Sequence, residues 1–152
     1  MYLSSLRCSL HNSKEFPAIK CIFFHLKKHY APSEVESILG YGLSYVEGNT
    51  YELYKWNNCY FPVYCCYELT SIKDRAIFQS LADLVVAGEW NRDVKDYSNI
   101  AESLSRDMHC YFVQVNSANY GDSRIVKPTK SVEKDLIRTK GGINSSVLID
   151  SI

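Results

Sequence analysis

Cys21 and His109 are the residues of this chain whose types, brought together, would do covalent chemistry. Backbone N–H groups at the start of a helix stabilise negative charge, and a neighbouring imidazolium stabilises it further, so a thiol placed there becomes a nucleophile. Cys21 heads the stretch Cys-Ile-Phe-Phe-His-Leu-Lys-Lys-His-Tyr, in which Ile22, Leu26 and Tyr30 fall at helical spacing with Phe23 beside them. His109 opens the run His-Cys-Tyr-Phe-Val-Gln-Val, whose aromatic and β-branched residues predict a strand. The expected arrangement is a helix-opening thiol facing a strand-opening imidazole. Six cysteines and four histidines supply many accidental pairs, so the neighbours of each residue carry the argument.

The elements that must position this pair follow from local signals. Ala31-Pro32 ends the first helix, and Ser33 with Glu36 forms a capping-box signal for a second helix over 34–39. Tyr60 to Leu69 predicts a strand with Phe61, Val63, Cys65, Tyr67 and Leu69 on one face, starting at a sheet edge because of Pro62. Ser71, with Asp74 three residues on, caps a helix whose buried stripe is Ile77, Phe78, Leu81, Leu84 and Val85 and whose stop is Gly88. Residues 89–107 are polar and unpatterned, which reads as a surface excursion overhanging a cleft. The histidine strand then turns at Asn119-Tyr120-Gly121-Asp122 into a second strand, Arg124 to Val126, and residues 131–138 predict a final short helix. Helices gathered early and hairpin-compatible strands gathered late predict an α+β fold, with N-terminal helices packed on an antiparallel sheet. Residues 1–140 are expected to form a single domain and 141–152 a C-terminal tail.

Two segments carry a family resemblance. Cys21 opening a helix, Tyr30 closing it, the Ser33-Glu34 start of the next, and Gly40-Tyr41-Gly42-Leu43-Ser44-Tyr45 together resemble the N-terminal domain of the butirosin-biosynthesis H protein family. His109 to Val115, followed by Gly121-Asp122 and Arg124-Ile125-Val126-Lys127-Pro128, is similar to the histidine hairpin of that family and of bacteriocin-processing double-glycine peptidases. The resemblance covers roughly residues 15–138 and implies the papain-like cysteine-nucleophile fold. It further implies acyl transfer through a Cys21 thioester, with His109 taking the thiol proton and later activating the acceptor. In the butirosin family the acyl group passes from a carrier-protein thioester to an amine, and in the peptidases from a peptide bond to water. The implied partner is an acyl carrier protein or a peptide substrate, with no cofactor and no metal.

The resemblance places an Asp or Asn, often before proline, where this chain has Lys127-Pro128. A lysine cannot accept the imidazole N–H and disfavours the imidazolium. Asn116, Asn119 and Asp122 are the turn residues available as the third catalytic group. The glutamine that completes the oxyanion hole of that fold is also missing, since Gln79 and Gln114 are the only glutamines; Asn12 and Ser13 are the nearest neutral donors before Cys21. A non-catalytic module that holds an acyl or peptide segment is the alternative when the triad is degenerate.

Composition bounds the other classes. Seventeen basic against seventeen acidic residues leave no net charge, which argues against nucleic-acid or membrane-surface binding driven by bulk charge. Met1 to Lys20 lacks the apolar core of a signal peptide and no apolar run reaches a membrane span, so a cytoplasmic protein with reduced thiols is expected. Adjacent Cys65 and Cys66 are then expected on opposite faces of a strand. Cys59, Cys65, Cys66, His109 and Cys110 lack the spacing of a zinc site, and the His25/His29 pair has no evident third ligand. The twelve tyrosines read either as packing on strand faces or as the hydroxyl-tipped wall of a cleft. Oligomeric state leaves no mark on the sequence.

Overall fold

The structure, a computed structural model, describes residues 4–9, 20–130 and 134–141. The chain divides into two compact units, 1–50 and 51–152.

In the first unit, β1 (Ser4–Ser9) pairs antiparallel with β2 (Lys20–His25), in a register that sets Cys8 opposite Cys21. Cys21 is therefore a strand residue, and the helix expected to open there is absent. Ile22, Phe23 and Phe24 are β-branched or aromatic, and once a partner strand supplies backbone hydrogen bonds their strand preference prevails over the helical spacing. A single helix follows, α1 (Pro32–Gly40). It starts earlier than the Ser33/Glu36 signal suggested: Pro32 occupies the first turn, where its fixed φ is already helical, and Glu34 reaches back to accept the Ala31 N–H at 2.8 Å.

The second unit is built on one six-stranded sheet in the order β3-β4-β5-β6-β7-β8. β3 (Leu53–Trp56) and β4 (Cys59–Cys65) form a hairpin across Asn57 and Asn58, both at positive φ, as a two-residue type I′ turn requires. β4, β5 (Leu84–Glu89) and β6 (Tyr111–Asn116) run parallel, while β7 (Arg124–Val126) and β8 (Asp135–Arg138) add antiparallel at the other edge. The antiparallel sheet expected from the sequence is thus replaced by a mixed sheet with a parallel centre. Residues 135–138, expected in a helix, are its last strand; residues 131–133 and the tail beyond 141 lie outside the described residues.

Parallel neighbours need crossovers, and the chain supplies two. Between β4 and β5 run a 3-10 turn (Cys66–Thr70) and one turn of helix, α2 (Ile72–Arg75), capped by the Ser71 hydroxyl on the Asp74 N–H at 3.3 Å. The expected cap is present, but the helix stops after a turn because Leu84 and Val85 are drawn into β5. Between β5 and β6 runs α3 (Val94–Met108), where a surface excursion was expected. Its N-terminus is capped by the Asp93 carboxylate on the Asp96 N–H at 3.2 Å, and Tyr97, Ala101, Leu104, Ser105 and Met108 form its buried stripe. Tyr97, Ala101, Leu104 and Met108 recur at helical spacing, so the segment is strongly amphipathic, and only its overall polarity made it read as unpatterned.

Register then decides which side chains α3 covers. Tyr64 pairs with Ala87, Val85 with Phe112, and Phe112 with Val126, so these residues share one face and pack against Leu69, Phe78, Ala101, Leu104 and Met108 in the core. Shortening Phe112 to alanine in this fully buried layer is expected to cost about 3–5 kcal/mol, read as a fall in the urea midpoint. No helix among the described residues is long and apolar enough to cross a membrane.

Candidate active site

The ends of the three parallel strands are where this sheet turns polar. In an open α/β sheet the carboxyl ends of parallel strands are also where ligands bind, because the loops leaving them diverge. β4 ends at Cys65 in extended backbone, φ −109° and ψ 118°, and Cys66 immediately takes φ +30°. A non-glycine residue held there stores on the order of 1–3 kcal/mol of strain, which persists only if neighbouring groups impose it. The fully buried Glu68 does so: its carboxylate accepts the Cys65 N–H at 2.7 Å and closes the turn. The Cys66 thiol, half-buried, meets the hydroxyl of Tyr97 on α3 at 3.6 Å.

β5 ends at Glu89, on the same face and one register step beyond the Cys65–Gly88 pair. Glu89 is 9% exposed; Gln114 Nε2 donates to its Oε2 at 2.9 Å, and its Oε1 is buried without a hydrogen-bond partner. Burial pushes its carboxyl up to about 7, with Asp122 adding to the shift and the Gln114 hydrogen bond and the Arg124 charge opposing it. Gln114 in turn accepts from Arg124 Nε at 3.2 Å, and the fully buried Arg124 guanidinium donates to Ser98 O at 2.7 Å and to Asp135 at 3.4 Å. Tyr97 is held far above the usual phenol range, first by burial, then by its bond to Cys66 and by nearby charge including Glu89. Its hydroxyl therefore stays protonated and available to donate to a thiolate.

The Glu89 shift has a consequence for stability. A carboxyl whose folded value lies above its unfolded value of 4.5 favours the folded state fully below that pH, and the contribution is lost as pH rises through about 7. Over that interval the loss is about 3 kcal/mol. Glu89→Gln removes the ionisation, so its stability in urea should match the wild type near pH 4.5 and exceed it above about pH 7. A constant difference at both pH values would contradict this.

The residues singled out from sequence are placed as follows. Cys21 lies in β2 of the first unit, within a strand. His109 is in the second unit and is the C-cap of α3, exposed and in the left-handed conformation, φ 55° and ψ 35°; it ends a helix where it was expected to open a strand. Asn116 and Asp122 share one end of the sheet. The Asn116 amide is consumed in holding loops together, accepting from Asn91 N and Ser117 N, each at 2.9 Å, and donating to Asn91 O at 3.0 Å and Gly121 O at 2.8 Å. Gly121 is required here: at φ +74° its backbone lies so close to Gly141 that a Cβ would collide with it. Asp122 is buried, takes a charged hydrogen bond from Arg138 Nε through Oδ1, and leaves Oδ2 without a partner.

Of the other thiols, burial pushes Cys110 up to about 11 and also raises Cys59, with Asp83 adding to both. Cys66 differs from both in being presented at a strained strand end against a hydroxyl. Sequence reasoning placed it inside a strand; the signal that marks it is the apolar run of β4 broken by Cys-Tyr-Glu, with the glutamate able to reach back. In the first unit, among the described residues, Lys27 pairs with Glu34, whose two oxygens accept from Nζ at 2.7 and 2.5 Å.

This architecture has solved counterparts. XC1258 from Xanthomonas campestris, a CN-hydrolase superfamily protein with an arsenic adduct in its active site, superposes with a TM-score of 0.63 at 13% identity, over 82% of this chain and 50% of that one. The chain has the CN-hydrolase fold. The amidase of Nesterenkonia sp. AN1, in a form carrying acrylamide added at its active-site cysteine, matches with a TM-score of 0.58 at 15% identity over 80% of this chain and 49% of its own. Saccharomyces cerevisiae Nit3, of branch 10 of the nitrilase superfamily, matches with a TM-score of 0.54 at 16% identity over 64% of this chain and 40% of its own. The chain thus spans about half the length of the CN-hydrolases it matches. No protein-family model and no curated protein matches it.

The CN-hydrolase fold overturns the resemblance to the butirosin-biosynthesis H protein family and the papain-like fold, and with them the acyltransferase and peptidase readings built on that fold. The physical source of the error is visible in β6 and β7. In this chain β6 and β7 form a short antiparallel pair after His109, as a histidine hairpin would, and the parallel pairing of β6 with β5 on its other side sets it apart.

Proposed function

We propose that this chain contributes to the hydrolysis of carbon–nitrogen bonds in small amides or nitriles, with Cys66 as the nucleophile. The observation that carries the reading is the strained Cys66 at the end of a parallel strand, its thiol against the Tyr97 hydroxyl. Its support is the likeness in fold to an amidase whose active-site cysteine takes up acrylamide. A sharp turn at a strand end lifts a side chain out of the sheet and presents it to a substrate, the geometric device that other hydrolases use for serine.

In the reaction the Cys66 sulfur adds to the amide carbonyl carbon, the proton it gives up passes to the amide nitrogen, the C–N bond breaks and ammonia leaves; water then cleaves the thioester to the free acid and returns the thiol. Tyr97 donates a hydrogen bond to the sulfur while it is charged. A thiol nucleophile of this kind needs a reducing compartment, which favours the cytoplasm.

The test is ammonia release from short primary amides and nitriles, with intact-mass analysis of a reaction quenched in acid. The expected result is ammonia release together with an acyl adduct on the Cys66 peptide, both missing from Cys66→Ser. Ammonia release that survives Cys66→Ser, or an adduct on another cysteine, would overturn the assignment.

A further inference from the structure

Cys66 and Glu89 leave the sheet side by side. Their strands pair as far as Cys65 and Gly88, and the next residue of each lies on the face covered by α3. Tyr97 of α3 touches the Cys66 sulfur and stands close enough to Glu89 to feel its charge. Glu89 keeps one oxygen buried and unpartnered while Gln114 holds the other. The remaining groups bearing on Glu89 are Arg124 of β7, behind Gln114, and Asp122 of the β6–β7 turn. Neither touches Cys66. Such a carboxyl adds nothing to packing that glutamine would not supply, and nothing in the hydrolytic cycle above uses it.

We propose that Glu89 is a positioning residue whose charge sets the reactivity of the Cys66 sulfur, acting across Tyr97. The inference rests on Cys66 being the reactive thiol. The Cys66 thiol donates to the Tyr97 hydroxyl, which can turn to donate to the sulfur once that is charged; with Glu89 ionised, a second negative charge sits behind the same hydroxyl and disfavours a charged sulfur by repulsion. Protonation of Glu89 thereby promotes nucleophile formation, and its ionisation restrains it.

The test is the rate of Cys66 alkylation by iodoacetamide, read by peptide mass spectrometry between about pH 5.5 and 8.5, in the wild type, Glu89→Gln, Glu89→Asp and Tyr97→Phe. Glu89→Gln should react at the wild-type rate near pH 5.5 and about threefold faster or more near pH 8. The wild-type profile should bend near about 7, where Glu89 titrates, and Glu89→Gln should lack the bend while Glu89→Asp keeps one. Tyr97→Phe should lower the rate throughout, and Cys59 in the same digests should react alike in every variant. A ratio of Glu89→Gln to wild type that is constant with pH would overturn the proposal, because a purely structural effect moves all rates together. Loss of the hydrolase reading would be seen differently, as missing ammonia release alongside an unchanged pH profile of Cys66 alkylation.

Discussion

On the hydrolase reading, Cys66→Gly lowers amide turnover by on the order of 10⁴-fold or more, since no other group replaces the covalent intermediate. The same substitution leaves the fold at least as stable as the wild type. Cys66 is held at φ +30°, in the left-handed region where glycine is relaxed and a β-carbon is not. Releasing that strain offsets the extra entropy that glycine loses on folding, and a net gain of up to about 1 kcal/mol is expected in urea denaturation. Cys66→Ala, which keeps the β-carbon, loses the activity without the gain. An inactive Cys66→Gly protein that is also destabilised by more than about 1 kcal/mol would show that the strand end stores no strain for function.

Arg124→Ala should lower the stability of the second unit by about 3–5 kcal/mol. The guanidinium is fully buried, and its removal strands Gln114 Oε1 in the interior, takes a donor from the half-buried Ser98 carbonyl, uncouples Asp135 from β7 and leaves a cavity under α3. Lysine does not rescue it, because one ammonium cannot match the planar fork that reaches Gln114, Ser98 and Asp135 together. The Arg124 charge also opposes the rise of the Glu89 carboxyl, so in Arg124→Ala the stability lost to Glu89 ionisation should continue to higher pH than in the wild type. A loss below about 1 kcal/mol, measured by urea denaturation, would mean that the buried network rearranges around the gap.

Local chemistry was legible wherever a residue acts on its own backbone. Ser71 caps the turn that follows it, Val113 and its neighbours form a strand, the segment Asn119 to Asp122 turns, and Arg124 to Val126 pairs back on β6. Each depends on groups a few residues apart, so composition and spacing contain the answer. The strand at Cys21 was hidden because helical spacing of Ile22, Leu26 and Tyr30 coincides with a run of strand-forming residues, and the choice falls to β1, a partner remote in sequence. α3 was overlooked although its signal is local: Asp93 caps it and Tyr97, Ala101, Leu104 and Met108 fall at helical spacing, in a stretch whose polarity hides the stripe.

The candidate site belongs with the strand at Cys21. No spacing rule sets Cys66 beside Glu89 and Tyr97, residues drawn together by the parallel pairing of β4 with β5 and by the crossover helix lying across both. Parallel pairing leaves no short-range signature, since its hydrogen bonds join segments separated by a whole crossover. By itself the sequence determined the Ser71 cap, the turn at Asn119 to Asp122 and the strand pair around it. Tertiary structure alone decided that Cys66 is strained, that Glu89 is buried, and that the two share one end of the sheet.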